Sequence, residues 1–152
     1  MNHDNYDDKY ILKVLKDVKI VAMVGASANW KRPSFFAMKY MQQKGFRVIP
    51  VNPGIAGKEI LGETVSASLD EIHEPIDMVD IFRNSEAAGR VTDDAIKAEA
   101  KIVWMQLGVR NDEAAKRAED AGLRVVMDRC PKIEFARLNG ELSWHGINSH
   151  VI

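Results

Sequence analysis

Apolar positions along the chain fall into two alternating kinds of run. Short, mostly continuous ones occupy Ile20–Val24, Phe46–Val51, Met78–Phe82, Ile102–Met105 and Leu123–Met127, with Asp80 the one polar residue in the third. Between them lie stretches with helical spacing. Residues 9–17 place Ile11, Leu12 and Leu15 on one face. Pro33 to about Lys44 is rich in Phe35, Phe36, Met38, Tyr40 and Met41. Ala87, Val91 and Ala95 recur every four residues, Ala114, Ala115 and Ala118 share a face, and a short helix is predicted near Ile133–Leu138. Continuous apolar strands alternating with helices predict a parallel sheet covered on both faces. The expected fold is a single Rossmann-like α/β domain spanning residues 1–152, with five strands, mainly parallel.

Local punctuation agrees with this division. Pro33 suits a first helical turn, where its missing N–H costs nothing. Gly45 and Gly122 are placed as helix stops. Asn111-Asp112-Glu113 supplies a cap and first-turn acids. Ser68-Leu69-Asp70-Glu71 matches a capping box and predicts a short helix that Pro75 ends. Gly57–Val65 reads as an irregular connection. The second helix is too apolar for a surface helix and is expected to pack heavily on the sheet. Trp104 and Met105 read as core.

In such a fold the ligand crevice lies beyond the carboxyl ends of the strands. The segments there are Gly25–Ser34, Asn52-Pro53-Gly54, Arg83-Asn84-Ser85, Gln106–Asn111 and Asp128–Cys130. The first, GASANWKRPS, joins a strand to a helix start, where free backbone N–H groups and the helix dipole favour an anion. Ser27, Ser34, Lys31 and Arg32 add hydroxyls and charge, and the turn reads as a phosphate holder. Polar loops are ordinary, and Lys31 with Arg32 also reads as a solvated pair. Cations at a helix N-terminus oppose the dipole, which favours a ligand that compensates them.

The pattern argues against NAD. A dinucleotide turn needs GxGxxG. Here Gly25 stands alone, with Ser27 and Trp30 at the other two glycine positions, and no acidic residue follows Val51. A Walker A pattern is absent too.

Composition narrows the classes further. Net charge is −1, so no global field draws the chain to nucleic acid or membrane. No apolar run approaches a membrane span, and the polar, acidic N-terminus does not resemble a signal peptide. A single cysteine, Cys130, excludes a disulfide framework within one chain and suits a reducing compartment. A cytoplasmic protein is expected. His3, His73, His145 and His150 show no metal-ligand or catalytic spacing, and neither serine has a visible base. Cys130 is the one candidate for thiol chemistry, with Arg129 and Lys132 beside it, although free cysteines are commonly buried and inert. Trp30 reads as a residue that touches ligand or a partner. Trp144 and His145, in the tail after residue 138, read as covering a neighbouring subunit or the protein's own surface.

Five segments in order, GAS…KRPS, RVIPVNPG, DIFR, VWMQLGV and VMDRCPKIEFARL, give the chain a familiar look. Together they resemble the small bacterial and archaeal coenzyme A-binding proteins of the YccU-like family. That family is related to the CoA-binding domain of the succinyl-CoA synthetase α subunit. The resemblance covers roughly residues 10–140. It implies coenzyme A or an acyl-CoA as ligand, with its phosphates at Gly25, Ala26, Ser27, Lys31, Arg32 and Ser34. Asn52 and Pro53 would lie beside the nucleotide. Phe82 and Arg83, with Gln106, Leu107 and Gly108, would line the cleft toward the pantetheine arm. The synthetase's second domain, with its phosphorylated histidine, has no counterpart, so no such chemistry is expected. The leading expectation is a non-catalytic CoA-binding sensor, carrier or regulatory module, with a protein partner or homodimer possible. The alternatives are a CoA-dependent transferase or redox enzyme using Cys130, and an NAD-linked sensor.

Overall fold

The computed structural model describes residues 1–138; the tail, with Trp144, His145 and His150, lies outside them. In chain order the elements are α1 (Asp8–Lys16), β1 (Ile20–Val24), α2 (Pro33–Gln43), β2 (Arg47–Val51), β3 (Glu59–Ile60) and β4 (Glu63–Thr64). Then follow β5 (Met78–Ile81), α3 (Ser85–Lys97), β6 (Ile102–Met105), α4 (Asp112–Asp120), β7 (Arg124–Val126) and α5 (Pro131–Arg137). Single 3-10 turns lie at Pro53–Ile55 and Leu69–Glu71.

The main sheet has the order β2-β1-β5-β6-β7, and each of its pairings is parallel. Strand residues alternate between two cores, as the pleat requires. On one face Val21, Met23, Met78, Ile102 and Trp104 meet α1, α2 and α5 through Ile11, Leu15, Met38, Met41 and Phe135. On the other, Ala22, Val79, Ile81, Val103 and Met105 meet α3 and α4 through Ala88, Ala95, Ala114 and Ala118. Small side chains on these last two helices let them approach the sheet closely. The caps are in place: Asn84 and Asn111 accept the N–H groups of Ala87 (2.8 Å) and Ala114 (3.0 Å).

Both edges of the sheet are occupied. Along β2, the N–H of Ser66 donates to the Pro50 carbonyl (3.0 Å) and that of Asn52 to the Ser66 carbonyl (2.9 Å). Along β7, two tyrosine hydroxyls take the place of a strand. The Tyr10 hydroxyl donates to the Val125 carbonyl (2.8 Å) and accepts the Val125 N–H (3.2 Å). The Tyr6 hydroxyl accepts the Met127 N–H (2.9 Å). The two rings stack, and burial pushes the Tyr6 hydroxyl up to about 12. His3, buried, joins Tyr6 (2.6 Å) to Glu119 (2.9 Å).

The structure corrects three local readings. Ser68–Glu71 does not cap a helix: it forms one 3-10 turn, the Ser68 hydroxyl donates to the Asp70 carboxylate, and Glu71 accepts the Ala67 N–H at 3.3 Å. Residues 57–65 are not wholly irregular, because β3 and β4 pair antiparallel through a turn at Leu61 and Gly62, both at positive φ. In α2, Ala37, Met38 and Met41 face the sheet, whereas Phe36 points outward and is exposed.

Asp80 is fully buried in central β5, between Met23 of β1 and Trp104 of β6. Among the described residues neither carboxyl oxygen has a hydrogen-bond partner. Burial raises its carboxyl well above the usual range.

Candidate functional site

The chain enters the sheet at β1, moves outward to β2, then crosses back to β5 on the other side of β1. The order of strands therefore reverses between β1 and β5. Loops leaving two such strands diverge, which opens a crevice at their carboxyl ends. Gly25 follows β1 and Phe82 follows β5, and the two touch at this point. Gly25 has φ +90°, and a Cβ there would lie 2.3 Å from the Phe82 carbonyl oxygen and 3.1 Å from the Arg83 Cδ. Two hydrogen bonds hold the junction: Gly25 N–H to the Val51 carbonyl (2.9 Å) and Phe82 N–H to the Val24 carbonyl (2.8 Å).

The loop from Ala26 to Arg32 is built by its own side chains. Ser27 Oγ accepts the Asn29 N–H (3.1 Å), and Asn29 Oδ1 accepts the Lys31 N–H (3.0 Å). Asn52 ties the second loop to the first: Nδ2 donates to the Ala26 carbonyl (2.9 Å), while Oδ1 accepts the Gly54 N–H (2.9 Å). Among the described residues the N–H groups of Ala26, Ser27, Ala28, Trp30 and Ser34 meet no acceptor. Arg32 precedes α2 with no side-chain cap, so the positive end of that helix is open too. Lys31 and Arg32 are exposed, and the Lys31 ammonium stands 5.5 Å from the centre of the Trp30 ring. Ser34, in contrast, is buried in the first turn of α2.

Beside this loop lies an open cleft of about 580 Å³. Phe82, Arg83, Gln106, Leu107, Cys130 and Ile133 line it, together with Pro33, Asn84 and Val109. The structure thus brings Phe82, Arg83 and Gln106 to one wall, next to Gly25. Gly108 helps shape the rim: it has φ +84°, and its N–H donates to Asp128 Oδ1 (2.6 Å). Pro53 stands exposed at the start of its 3-10 turn, away from that lining. Cys130 is half-buried and faces the cleft, in place of the inert core position common for a free thiol. Leu107 and Val109, in the segment expected past β6, are joined in the lining by Ile133. The signal for Ile133 in the sequence is an apolar residue placed past a strand end, and neither core claims it.

Gln106 stands out within the wall. It is only 9% exposed, and its carboxamide oxygen has no donor among the described residues. A buried carbonyl without a partner costs about 1–3 kcal/mol, which a ligand N–H would recover. Another hollow, of about 480 Å³, lies between the N-terminal residues and α4, but its charges are already matched. Arg110 pairs with Asp4 (2.8 Å) and Asp112 (2.7 Å), and His3 with Glu119.

Parallel sheet, two helical layers and a crevice at the strand-order reversal define a Rossmann-like α/β protein. The chain belongs to the CoA-binding domain family, whose model matches residues 19–136. It is 39% identical over 126 residues to the uncharacterized protein YneT of Bacillus subtilis (strain 168), covering 83% of this chain and 92% of that one. A hypothetical protein from Pyrococcus horikoshii OT3 superposes with a TM-score of 0.85 at 37% identity, covering 92% of this chain and 97% of the other. A Thermus thermophilus protein superposes at 0.83 with 35% identity, covering 88% and 99%. No helix among the described residues is long and apolar enough to cross a membrane.

Proposed function

We propose that the chain binds coenzyme A or an acyl-CoA across this crevice, as a cytoplasmic binding module without catalytic groups of its own. The observation that carries this reading is the pairing of two unlike surfaces around Gly25. On one side is a loop in which several N–H groups, those of Ala26, Ser27 and Ser34 among them, meet no acceptor among the described residues, with Lys31 and Arg32. On the other is an apolar cleft lined by Gln106, whose buried carbonyl has no partner among the described residues. A ligand with phosphates at one end and an amide-containing apolar arm at the other matches both.

The phosphates would take the N–H groups of Ala26, Ser27 and Ser34 and the charges of Lys31 and Arg32. The nucleotide would lie against Asn52 and Pro53. The arm would run past Phe82, Arg83 and the Gln106-Leu107-Gly108 segment. The groups present bind, orient and shield from water. Such a module serves as a sensor, carrier or regulatory partner, and exposed Trp30 and Phe36 beside the loop offer apolar surface to a partner protein or a second copy. Calorimetric titration of the folded protein with CoA tests the reading. Saturable binding is expected, and its absence at millimolar CoA would remove the proposal.

A further inference from the structure

We propose that Cys130 forms a mixed disulfide with the thiol end of the bound coenzyme A, making the cleft a thiol–disulfide exchange site for CoA disulfides. The inference rests on the cleft being the CoA site, and it adds a covalent step there.

Two residues from neighbouring loops carry it. Gln106 follows β6 and Cys130 follows β7, and both line the same cleft. Four hydrogen bonds clamp their loops together. The Trp104 indole N–H donates to the Arg129 carbonyl (2.9 Å), and the Arg129 N–H to the Met105 carbonyl (3.4 Å). The Asp128 N–H donates to the Val109 carbonyl (3.1 Å), and the Gly108 N–H to Asp128 Oδ1 (2.6 Å). The segments that carry Gln106 and Cys130 are therefore tied together, and Cys130 does not sit on a free strand end. Gln106 Oε1, buried and without a donor among the described residues, independently marks this cleft as the place of a ligand N–H. The pantetheine arm carries amide N–H groups and ends in a thiol. An arm that satisfies Gln106 has its sulfur in the same cleft as the Cys130 sulfur.

The chemistry balances without a further oxidant. The Cys130 thiolate attacks one sulfur of a CoA disulfide. A new sulfur–sulfur bond joins Cys130 to one CoA, the original disulfide breaks, and the second CoA leaves as a thiolate that takes a proton from water. Cys130 is oxidised and the departing CoA is reduced. A free thiol, such as reduced CoA in excess, reverses the step.

The test uses the full chain, in which Cys130 is the only cysteine, so any disulfide adduct lies there. The reduced protein is mixed with CoA disulfide or with glutathione disulfide, and adduct formation is followed by intact mass. Binding first makes the exchange intramolecular, so CoA disulfide should react at least about tenfold faster than glutathione disulfide. Excess acetyl-CoA, which fills the cleft but has no free thiol, should suppress the reaction with CoA disulfide. Equal rates with the two disulfides, or no protection by acetyl-CoA, would overturn the proposal. Reduced CoA is titrated in parallel under reductant. If it binds but CoA disulfide gives no adduct, the exchange role fails and the binding role stands. If it does not bind, both fail.

Discussion

Gly25 and Phe82 meet so closely that the backbone of one excludes a side chain on the other: a Cβ at position 25 would lie 2.3 Å from the Phe82 carbonyl oxygen. The contact sits where the order of strands reverses between β1 and β5. It fixes the width of the crevice at the point where loop and cleft join.

Gly25→Ala is therefore expected to destabilise the fold by roughly 2–4 kcal/mol, since it adds a clash with backbone to a positive φ that L side chains rarely adopt. Urea unfolding measures this as a lower midpoint. An unchanged midpoint would mean that the β1 and β5 loops separate easily, contrary to the packing seen.

Replacing Lys31 and Arg32 together by alanine should weaken CoA about tenfold or more, a loss of roughly 1.4 kcal/mol, while pantetheine binding changes little. Stability should hold or rise slightly, because these exposed cations precede a helix N-terminus. Calorimetry with both ligands decides the matter. Equal losses for CoA and pantetheine would move the cations away from the phosphates.

Asp80 makes stability depend on pH in the direction opposite to most carboxylates. Burial raises its folded-state value well above that of the unfolded chain. Between those two values the unfolded state binds fewer protons than the native one, so this group's contribution falls as pH rises. Below the unfolded-state value of about 3.9 the difference vanishes. Asp80→Asn should therefore gain stability over the parent protein as pH rises from 4 to 8. Denaturation midpoints for both proteins across that range provide the measurement. Parallel profiles would show that Asp80 ionises at no extra cost.

The sheet was readable because its strands are buried on both faces and so appear as unbroken apolar runs. Strand boundaries agree to within a residue, as in Arg47–Val51 against an expected Phe46–Val51. The hairpin of β3 and β4 was not readable: two-residue strands with Ile60 as their one buried side chain leave no period to detect. The capping box at Ser68 misled because Asp70 lies near enough to take the hydroxyl that would have capped the helix. For the candidate site, the loops were legible as polar segments after strands, but their division of labour was not. Asn52 spends its side chain joining two loops, and Ser34 is buried, whereas apolar Ile133 lines the cleft beside the expected Leu107. His3 gave no signal at all, because its partners Tyr6 and Glu119 come together only when the N-terminus crosses β7.

Tyr6 and Tyr10 spend their hydroxyls on the outward-facing hydrogen bonds of β7, while the backbone N–H and carbonyl of Ser66 occupy those of β2. A parallel α/β sheet normally presents open rims to which another strand, from any chain, can add. Here both rims are plugged along these stretches, one of them by side chains from the first ten residues. The N-terminal segment thus covers a rim that would otherwise be open to strand addition, besides packing on the sheet. Tyr6→Phe with Tyr10→Phe should leave the core intact, cost about 1–3 kcal/mol and increase aggregation on warming over the parent protein, as light scattering of the two would show.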